Sequence, residues 1–391
     1  MIPVDTALDH LFALADPLPV EVVPLRAAAG RVLAEPVTAQ RTQPPFAASS
    51  MDGYALKSIE ADLHAQFKVV GESSAGHRWT GTLGAGQAVR IFTGAPVPDG
   101  ADKVVIQEDV TRTGDLIAIT ADPGPKGNIR PAGVDFAAGM QMDAARRLTP
   151  GDVALLAAMN IAQVPVRRAP VVALMATGDE LVQPGEAPGP DQIIASNTFG
   201  LAAMLERFGA VARMMPIARD TASSLSTAFE LAQGADLIVT IGGASVGDHD
   251  LVAHVAAEMG MDQSFYKVAM RPGKPLMAGR LNGTPMVGLP GNPVSAMVCG
   301  TVFLQPMLSA MLGLGQAAMP RTSMPLAAPL GQNGPREHYM RAVIEGGTVR
   351  DAGAQDSSLL TVLARSNALI VRPPHAPAQD AGTPVDVIPL D

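Results

Sequence analysis

The stretch DLIVTIGGASVGDHD, residues Asp236–Asp250, decides the fold of the region around it. Leu237–Ile241 is a short apolar run rich in β-branched residues, which predicts a buried strand. Gly242, Gly243 and Gly247 interrupt this run, and the periodic stretch LVAHVAAEMG that follows predicts a helix. A strand, a glycine turn and a helix N-terminus together favour anion binding, because backbone N–H groups approach the ligand and the helix dipole attracts negative charge.

Two aspartates, Asp248 and Asp250, stand in the same turn. Acidic side chains next to a phosphate would repel it unless a cation lies between them, so the stretch predicts a phosphate bridged by magnesium. The alternative is an ordinary α/β helix whose N-cap is an aspartate. These residues alone leave both interpretations open.

The sequence on either side of this stretch predicts an α/β domain. Strands and helices alternate between residues 170 and 315, which is typical of a parallel, doubly wound sheet. Ligands of such sheets bind beyond the carboxyl ends of the strands. Four predicted strand ends carry polar or glycine-rich residues: 178–180, 242–250, 271–275 and 290–295. We expect these four segments to converge on one site.

β-rich segments flank the α/β domain. Short strands between glycine and proline turns predict a β-rich domain over residues 67–120 and a small barrel or sandwich after residue 319. The 39 glycines, 34 prolines and 4% aromatic residues also argue against a helical bundle. A length of 391 residues allows two to four domains.

Composition argues against several classes of protein. The net charge of -9 disfavours general nucleic-acid binding. Cys299 is the only cysteine, so an internal disulfide is impossible and a reducing compartment such as the cytoplasm fits. The first residues, MIPVDTALDHLF, lack the basic start of a signal peptide. The apolar run 294–314 is interrupted by Gly, Gln and Pro, which is more typical of a buried helix than of a membrane span.

Three basic residues, Lys267, Arg271 and Lys274, lie close together in YKVAMRPGKPL. On one strand Lys267 and Arg271 would share a face, since side chains alternate with a period of two. Three cations so close in sequence suit a phosphate or another oxyanion. The alternative is a solvated basic edge, but the acids and glycine turns at the neighbouring strand ends favour a binding site.

Acidic residues follow other strands. Asp179 and Glu180 come directly after VVALMAT, and Asp220 ends ARMMPIARD just before a predicted helix. Turn or N-cap roles are the alternatives for each of them. Asp52 in SSMDGY and Thr93 in FTGAPVPDG are ordinary turn residues when taken alone.

Residues 243–247 also match G-x-S-x-G, the nucleophile elbow of α/β-hydrolases, with Ser245 as the nucleophile. Two carboxylates follow at once and no HGGG-like segment supplies an oxyanion hole, so we do not favour a serine hydrolase. The sequence contains no G-x-x-x-x-G-K-[ST] phosphate loop and no H-E-x-x-H or Cys/His zinc pattern.

Six motifs, in this order, resemble those of the molybdopterin molybdenumtransferases, the family of MoeA and the gephyrin E domain. They are PFAASSMDGYAL, FTGAPVP, LMATGDELV, IGGASVGDHD, VAMRPGKPL and GLPGNPVSA. The resemblance spans nearly the whole chain, and it implies an α/β multidomain protein that forms an elongated homodimer. The implied domains are a split N-terminal domain (1–42 and 127–168), an inserted β-rich domain (43–126), a doubly wound molybdopterin-binding α/β domain (169–317) and a C-terminal β-barrel (318–391).

The resemblance also implies the reaction. Members of this family insert molybdate into adenylylated molybdopterin with Mg²⁺, releasing AMP and the molybdenum cofactor. The partners would be these substrates, a second copy of the chain, and molybdoenzymes or an adenylyltransferase. The inserted domain would reach the site of the other subunit, which would give Asp52 and Thr93 a role.

The site residues implied by the resemblance follow from the matching motifs. The catalytic residues would be Asp52, Thr93, Glu180, Asp220, Asp250, Lys267 and Lys274. Glu180, Asp220 and Asp250 would also be the metal ligands. The substrates would be bound by Gly242, Gly243, Ser245, Gly247, Asp248, Arg271, Pro275, Pro290, Gly291, Asn292, Pro293, Ser295, Arg336 and Ser366. The last two match looser motifs linked to molybdate.

Two positions depart from the family pattern. Ile241 stands where Ser or Thr is usual before the two glycines, and Arg271 stands where many members have Lys. Arg keeps the charge and adds a planar fork that suits oxyanions, whereas Ile removes a hydroxyl. Two related functions compete with molybdate insertion: a molybdopterin adenylyltransferase, which can consist of the α/β domain alone, and a non-catalytic scaffold of the gephyrin type.

Overall fold

The structure is a computed structural model that describes residues 1–243 and 251–390. Four residues of the predicted turn, Ser245, Gly247, Asp248 and Asp250, lie outside the described residues. Separate clusters of buried apolar side chains form in the N-terminal region, in the inserted region, on both faces of the α/β sheet and in the C-terminal region. The predicted α/β multidomain architecture is confirmed.

The first 168 residues consist mainly of short strands and contain two helices. Thr149 and Asp152 form the capping box that starts the second helix, as the Thr-Pro pair in the sequence predicts. The elements are α1 (Val4–Leu14), β1 (Val20–Pro24), β2 (Val32–Leu33), β3 (Val37–Thr38), β4 (Ala48–Ser49), β5 (Gly53–Leu56), β6 (Gln66–Ser73), β7 (Gln87–Ile91), β8 (Lys103–Ile106), β9 (Val110–Thr113), β10 (Leu116–Ile119), β11 (Ile129–Arg130), β12 (Gln141–Met142), β13 (Arg146–Arg147), α2 (Pro150–Ala158) and β14 (Gln163–Arg167).

These strands form two main sheets. The order β1-β14-β2-β13 gives an antiparallel sheet built from both ends of this region, as a split domain requires. Strands β5 to β10 form a six-stranded sheet in the order β8-β5-β7-β6-β10-β9, in which only β6 and β7 are parallel. This second sheet has its own core around Tyr54, Phe67 and Ile117. The inserted sequence is therefore β-rich, as predicted.

The α/β region contains the stretch from which the fold was predicted. A π-helical turn, Gly300–Leu304, joins its last two helices into one long helix. The elements are β15 (Val171–Ala176), β16 (Leu181–Val182), β17 (Ile193–Ile194), α3 (Asn197–Arg207), β18 (Val211–Met214), α4 (Ala222–Leu231), β19 (Leu237–Ile241), α5 (Leu251–Glu258), β20 (Met261–Tyr266), β21 (Met270–Arg271), β22 (Met277–Leu281), β23 (Thr284–Leu289), α6 (Pro293–Cys299) and α7 (Gln305–Met311).

The central sheet has the order β18-β15-β19-β23-β22-β20. Its first four strands are parallel, as the alternation of strands and helices predicts. Asn282 and Gly283, a pair typical of two-residue hairpins, form the turn between β22 and β23, and both have the positive φ angles that a type I′ turn requires. The hairpin and β20 add two antiparallel strands, so this edge of the sheet is mixed.

Both faces of the central sheet are buried. Val172 and Leu174 of β15 join a cluster with α3, α6 and α7, whereas Ala173 and Met175 point to the opposite face and join α4 and α5. Burial on both faces explains why these strands are almost continuously apolar. The helix Pro293–Met311 is long and apolar enough to cross a membrane, but 83% of its apolar window is buried inside the protein.

The first helix packs against a different core from the one implied by the domain boundaries. Leu8, Leu11 and Leu14 of α1 belong to the α/β core, and α1 contacts α7, β20 and β22. The apolar stripe of α1 predicts that the helix needs a partner surface, but it does not specify which sheet supplies that surface. The residues before β1 are therefore packed as part of the α/β unit.

The C-terminal residues form a small barrel. Its elements are β24 (Thr322–Pro325), β25 (Glu337–Glu345), β26 (Thr348–Asp351), α8 (Leu360–Ala364), β27 (Ala368–Arg372) and β28 (Pro384–Pro389). The strand order is β26-β25-β27-β28-β24, and a bridge between Leu326 and Val349 closes it. The short strand β21 of the α/β region pairs in parallel with β25. Hydrogen bonds therefore join the barrel directly to the segment that carries the predicted basic cluster.

Candidate functional site

A cavity of about 1070 Å³ lies at the carboxyl edge of the central sheet. Thr177, Gly242 and Pro290 line it, and each of them directly follows a strand: β15, β19 and β23. Parallel neighbouring strands bring these three residues to the same edge. The cavity therefore lies where ligands of doubly wound sheets bind, as the sequence predicts.

The structure brings many of the predicted site residues together. Those that line the cavity are Glu180, Asp220, Gly242, Gly243, Pro275, Pro290, Gly291, Asn292 and Pro293. The other predicted residues that the structure describes are absent from this lining: Asp52, Thr93, Lys267, Arg271, Lys274, Ser295, Arg336 and Ser366. Of the four strand ends expected to converge, 271–275 reaches the cavity only through Pro275.

The position of the Glu180 side chain depends on Gly178. Gly178 has a φ angle of 147°, and a Cβ at this position would lie 2.4 Å from the Oε2 atom of Glu180. The carbonyl oxygen of Glu180 accepts a hydrogen bond from Ile193, which ties this turn to β17. The carboxylate can therefore occupy its place only because residue 178 has no side chain.

Asp220 also faces the cavity, and it is not a helix cap. Thr221 is the N-cap of α4, because its hydroxyl accepts a hydrogen bond from the backbone N–H of Ser224. The N-cap alternative for Asp220 is therefore wrong. The backbone N–H of Asp220 donates to Oδ1 of Asp179 at 3.2 Å. Asp179 thus helps to position Asp220, whose carboxylate is left for the cavity.

Gly242 and Gly243 form the turn after β19. Their φ angles are 94° and 67°, which favour glycine. A Cβ at Gly242 would lie 2.8 Å from the carbonyl oxygen of Thr177, and a Cβ at Gly243 would lie 2.2 Å from Cγ2 of Val252. No larger residue fits at either position without moving its neighbours, which explains the paired glycines of the sequence.

The barrel supplies part of the cavity wall. Asn197 donates to the carbonyl oxygen of Gly291 at 2.8 Å, which fixes the turn before α6. Asn292 donates to the Ser357 hydroxyl at 3.1 Å, and the neighbouring Ser358 lines the cavity. Ser295 is buried within α6 and does not reach the ligand space. The wall is therefore shared between the α/β sheet and the barrel.

Lys267 and Arg271 do not share a face of one strand, so this prediction was wrong. Lys267 follows β20 with a φ angle of 78°, which ends the strand. Its carbonyl oxygen accepts a hydrogen bond from Ile2, so the N-terminal segment packs beside this bend. Arg271 lies in β21, which belongs to the sheet of the barrel. The two cations thus stand on different sheets.

A cluster of basic side chains lies where the α/β region meets the barrel. Arg271 stands opposite His338 in the pairing of β21 with β25. Arg336 donates to a carbonyl oxygen of β21 at 3.2 Å. The positive charges of Arg271, Arg336, Arg341 and Arg372 all disfavour protonation of His338. We call these four arginines and His338 the arginine cluster.

The two innermost guanidinium groups of the arginine cluster lack a carboxylate partner among the described residues. Arg341 is 1% exposed and donates to the side-chain oxygen of Gln355 and to backbone carbonyls, including that of Asp356. Arg372 is 2% exposed, donates to backbone carbonyls, and has no partner for its Nε atom among those residues. Buried guanidinium groups of this kind favour an anionic ligand.

Sequence reasoning found only part of this cluster. It named Arg271 and Arg336 but missed Arg341, Arg372 and His338. The available signal was a basic residue inside an otherwise apolar strand, in EHYMRAVIE and in ALIVR, since such residues are seldom buried without a partner. Ser366 suits an oxyanion less well than predicted, because its hydroxyl already donates to a carbonyl oxygen of α8 at 2.8 Å.

Asp52 and Thr93 form a compact unit on the inserted sheet, away from the cavity lining. Oδ1 of Asp52 accepts hydrogen bonds from the backbone N–H of Thr93 at 2.7 Å and from its hydroxyl at 2.8 Å. These bonds, with a smaller contribution from Arg90, lower the pKa of the Asp52 carboxyl. Arg90 also donates to the carbonyl oxygen of Gly53, and its guanidinium lies over the ring of Phe92. Asp52 is therefore held ionised in a defined orientation.

The donors that face the cavity suit a hard cation. Glu180 and Asp220 contribute carboxylates, and the third predicted ligand, Asp250, lies outside the described residues. The residues that the structure describes contain no group of three or more His, Cys, Asp or Glu side chains arranged to hold a metal ion. Carboxylate oxygens are the ligands that Mg²⁺ prefers, so Glu180 and Asp220 are candidate ligands, and His254 of the same lining adds an imidazole.

Three family models match the chain in order. Residues 2–160 match the MoeA N-terminal region (domain I and II), residues 173–310 match a probable molybdopterin binding domain, and residues 323–390 match the MoeA C-terminal region (domain IV). The chain is 36% identical over 369 residues to the molybdopterin molybdenumtransferase of Nostoc sp., which covers 90% of this chain and 85% of the relative. The chain belongs to the MoeA family.

Other MoeA proteins match over their whole length. The molybdopterin molybdenumtransferase of Haemophilus influenzae is 33% identical over 401 residues, covering 100% of this chain and 99% of the relative. The crystal structure of a molybdopterin biosynthesis MoeA protein from Pyrococcus horikosii matches with a TM-score of 0.84 at 30% identity, covering 100% and 99% of the two chains. The recognition of this family from six motifs is confirmed.

Replacing Gly178 by Ala tests how closely the Glu180 carboxylate is positioned. The new Cβ would meet Oε2 of Glu180 at 2.4 Å and push the carboxylate aside. We expect kcat/KM for the reaction proposed below to fall about 10- to 100-fold, with an unfolding midpoint no lower than that of the control variant. Gly185→Ala is the matched control, because Gly185 has a similarly unfavourable φ angle of 94° but no atom within 4 Å. Equal losses in both variants would contradict this role of Gly178.

His338 predicts a specific pH dependence of stability. Burial and the surrounding arginines lower its pKa to about 4, from an ordinary value of 6.5. Between these values the unfolded state binds more protons than the folded state, so the free energy of unfolding falls as the pH drops from 6.5 to 4. Denaturant titrations of His338→Gln should show a weaker pH dependence in this window, whereas the exposed control His77→Gln should match the wild type. Parallel curves for all three proteins would refute the assignment.

Proposed function

We propose that this chain is a molybdopterin molybdenumtransferase, which inserts molybdate into adenylylated molybdopterin with Mg²⁺ and releases AMP and the molybdenum cofactor. The observation that carries the proposal is the meeting of acids and a paired-glycine turn in one cavity beside the arginine cluster. Both reactants are multiply negative, so they repel each other on approach. The reaction therefore needs a site that neutralises the negative charge of both reactants. The acids with a bound Mg²⁺ would do so for the pterin phosphate, and the arginine cluster would do so for molybdate.

The glycine turn and the acids form the pterin-phosphate side of the proposed site. Gly242 and Gly243 leave the backbone uncovered at the carboxyl edge of β19, where a phosphate can approach. Glu180 and Asp220 would hold Mg²⁺ together with Asp250. The bound ion would neutralise phosphate charge and stabilise the departing AMP. The acids themselves orient the ion, and Asp179 and Gly178 orient the acids.

The arginine cluster forms the proposed oxyanion side. Its guanidinium groups are planar forks that match the oxygens of a tetrahedral dianion such as molybdate. Arg341 donates to the carbonyl oxygen of Asp356 at 2.7 Å, in the segment whose Ser357 and Ser358 reach the cavity wall. The cluster and the cavity are therefore adjacent. Lys274 directly precedes Pro275 of the lining, so we propose it as a further cation for the oxyanion; Lys267 stays a weaker proposal.

We further propose a homodimer in which Asp52 and Thr93 act in the cavity of the other subunit. Two observations support this: two hydrogen bonds from Thr93 fix the Asp52 carboxylate, and the pair does not line the cavity of its own chain. Gly53 allows this organisation, because a Cβ there would lie 2.0 Å from the carbonyl oxygen of Val105. An ionised Asp52 can accept a proton or orient a substrate group.

Three alternatives receive less support. An adenylyltransferase needs only the α/β domain, whereas the MoeA matches extend over the regions before and after it. A pure scaffold does not need Glu180 and Asp220 directed into the cavity. A serine hydrolase would require Ser245, which lies outside the described residues, and it gives no role to the arginine cluster. The buried, unpaired Cys299 supports the proposed cytoplasmic location, where adenylyltransferases and molybdoenzymes are the expected partners.

The decisive activity measurement is AMP release. Purified protein mixed with adenylylated molybdopterin, Mg²⁺ and molybdate should release AMP, and chelating the divalent ions should abolish this release. Glu180→Gln and Asp220→Asn should each lower kcat about 100-fold or more, because each removes a carboxylate proposed to hold Mg²⁺ while keeping the side-chain shape. Glu186→Gln, an exposed acid in the same region that is absent from the lining, is the control. AMP transfer from ATP to molybdopterin without molybdate would instead identify an adenylyltransferase.

A mixed dimer tests whether Asp52 acts across subunits. Asp52→Asn and Glu180→Gln chains carrying different tags would be co-expressed, and the heterodimer purified through both tags. If Asp52 acts in trans, one of its two sites combines an intact Asp52 with an intact Glu180, so it should show about half of the wild-type activity. Both mutant homodimers should be nearly inactive. An inactive heterodimer would mean that Asp52 acts within its own chain, and an active Asp52→Asn homodimer would remove Asp52 from the reaction.

A further inference from the structure

Thr177 occupies a rigid position at the edge of the cavity. It directly follows β15, and its backbone N–H donates to the carbonyl oxygen of Ile241 at 3.1 Å. It also forms a parallel bridge with Ala218, and the next residue, Gly178, donates to the carbonyl oxygen of Ala218. Backbone contacts with neighbouring segments on both sides therefore fix the position of Thr177.

The hydroxyl of Thr177 lacks a hydrogen bond. The residue is 3% exposed, and its Oγ1 atom is shielded from water and has no partner within the part of the chain that the structure describes. A buried hydroxyl without a partner is costly, because the hydrogen bonds that it made to water in the unfolded chain are not replaced. A buried hydroxyl without a partner therefore calls for an explanation, and one explanation is a bound ligand that forms the missing hydrogen bond.

The hydroxyl lies against the paired-glycine turn of the cavity. Thr177, Gly242 and Gly243 all line the cavity. A Cβ at Gly242 would lie 3.2 Å from Oγ1 of Thr177, and a Cβ at Gly243 would lie 3.0 Å from it. A side chain at either position would therefore crowd this hydroxyl. This is the same turn whose uncovered backbone suits a phosphate.

A second threonine, Thr240, provides a comparison for Thr177. Thr240 of β19 stands opposite Met175 of β15, it is 0% exposed, and its hydroxyl also lacks a partner within the described segments. Thr240 is absent from the cavity lining, whereas Thr177 belongs to it. Both threonines therefore have a buried hydroxyl without a hydrogen-bond partner, but only Thr177 lines the cavity in which a ligand would bind.

We infer that Thr177 is a substrate-binding residue of this site: its hydroxyl donates a hydrogen bond to a phosphate oxygen of adenylylated molybdopterin. The inference rests on the proposed function for the identity of the ligand. A neutral donor at this point adds no charge to a site that already contains carboxylates, and it aligns the phosphate with the glycine turn. A hydrogen bond to a charged oxygen is also stronger than one between neutral groups.

Thr177→Val tests the inference, because valine keeps the shape of threonine and removes only the hydroxyl. The ligand-free unfolding midpoint should stay the same or rise, since an unsatisfied polar group has been removed. KM for adenylylated molybdopterin should rise about tenfold or more, and the increase in midpoint caused by adding this ligand should shrink. Thr177→Ser should restore the wild-type KM. Thr240→Val, the matched control, should leave both KM and the ligand effect unchanged.

Two outcomes would overturn the inference. One is a Thr177→Val enzyme whose KM and ligand-induced midpoint shift equal those of the wild type. The other is a lowered ligand-free midpoint in Thr177→Val, which would show that the hydroxyl already stabilises the fold in the absence of ligand. Failure of the proposed function is separable: the wild type would then release no AMP, while the midpoint shift would still report whether Thr177 contributes to binding of the pterin nucleotide.

Discussion

The parallel register of three strands is the constraint on which the site depends. Ala176 stands opposite Ile241, and Ile241 stands opposite Leu289, so β15, β19 and β23 end in one row. Backbone hydrogen bonds therefore determine where the following turns lie. Ile241 contributes to this arrangement through its backbone: its side chain is buried in the core at 2% exposure, and its carbonyl oxygen accepts a hydrogen bond from Thr177.

Opposite charges in the site come from different parts of the chain. The α/β region contributes Glu180 and Asp220, whereas the barrel contributes most of the arginine cluster. The arginines repel one another, and burial increases this cost for Arg341 and Arg372. A cation beside the acids and an oxyanion beside the arginines would offset these charges. A hydrogen bond from Asn292 to Ser357 connects the α/β region to the barrel.

Sequence reasoning succeeded where local chemistry decides the structure and failed where a distant partner does. Residues close in sequence determine the capping box at Thr149, the hairpin at Asn282 and the polar residues that follow the strands at the cavity. Lys267 was misplaced because the strand ends there, beside Ile2 from the other end of the chain, whose backbone N–H donates to the Lys267 carbonyl oxygen. Arg341 was missed because its burial depends on the segment around Gln355, which no periodicity reveals.

The shared wall bears on which reaction this chain suits. An isolated α/β domain would keep the glycine turn and its two acids, but it would lose Ser357, Ser358 and the arginines of the barrel. Such a domain could still bind a pterin phosphate with a metal ion. It would have nothing to hold a second, separate dianion against the first, because the acids alone repel it. In the proposed reaction, the barrel is therefore the part of the fold that would allow a phosphate site to bring two anions together.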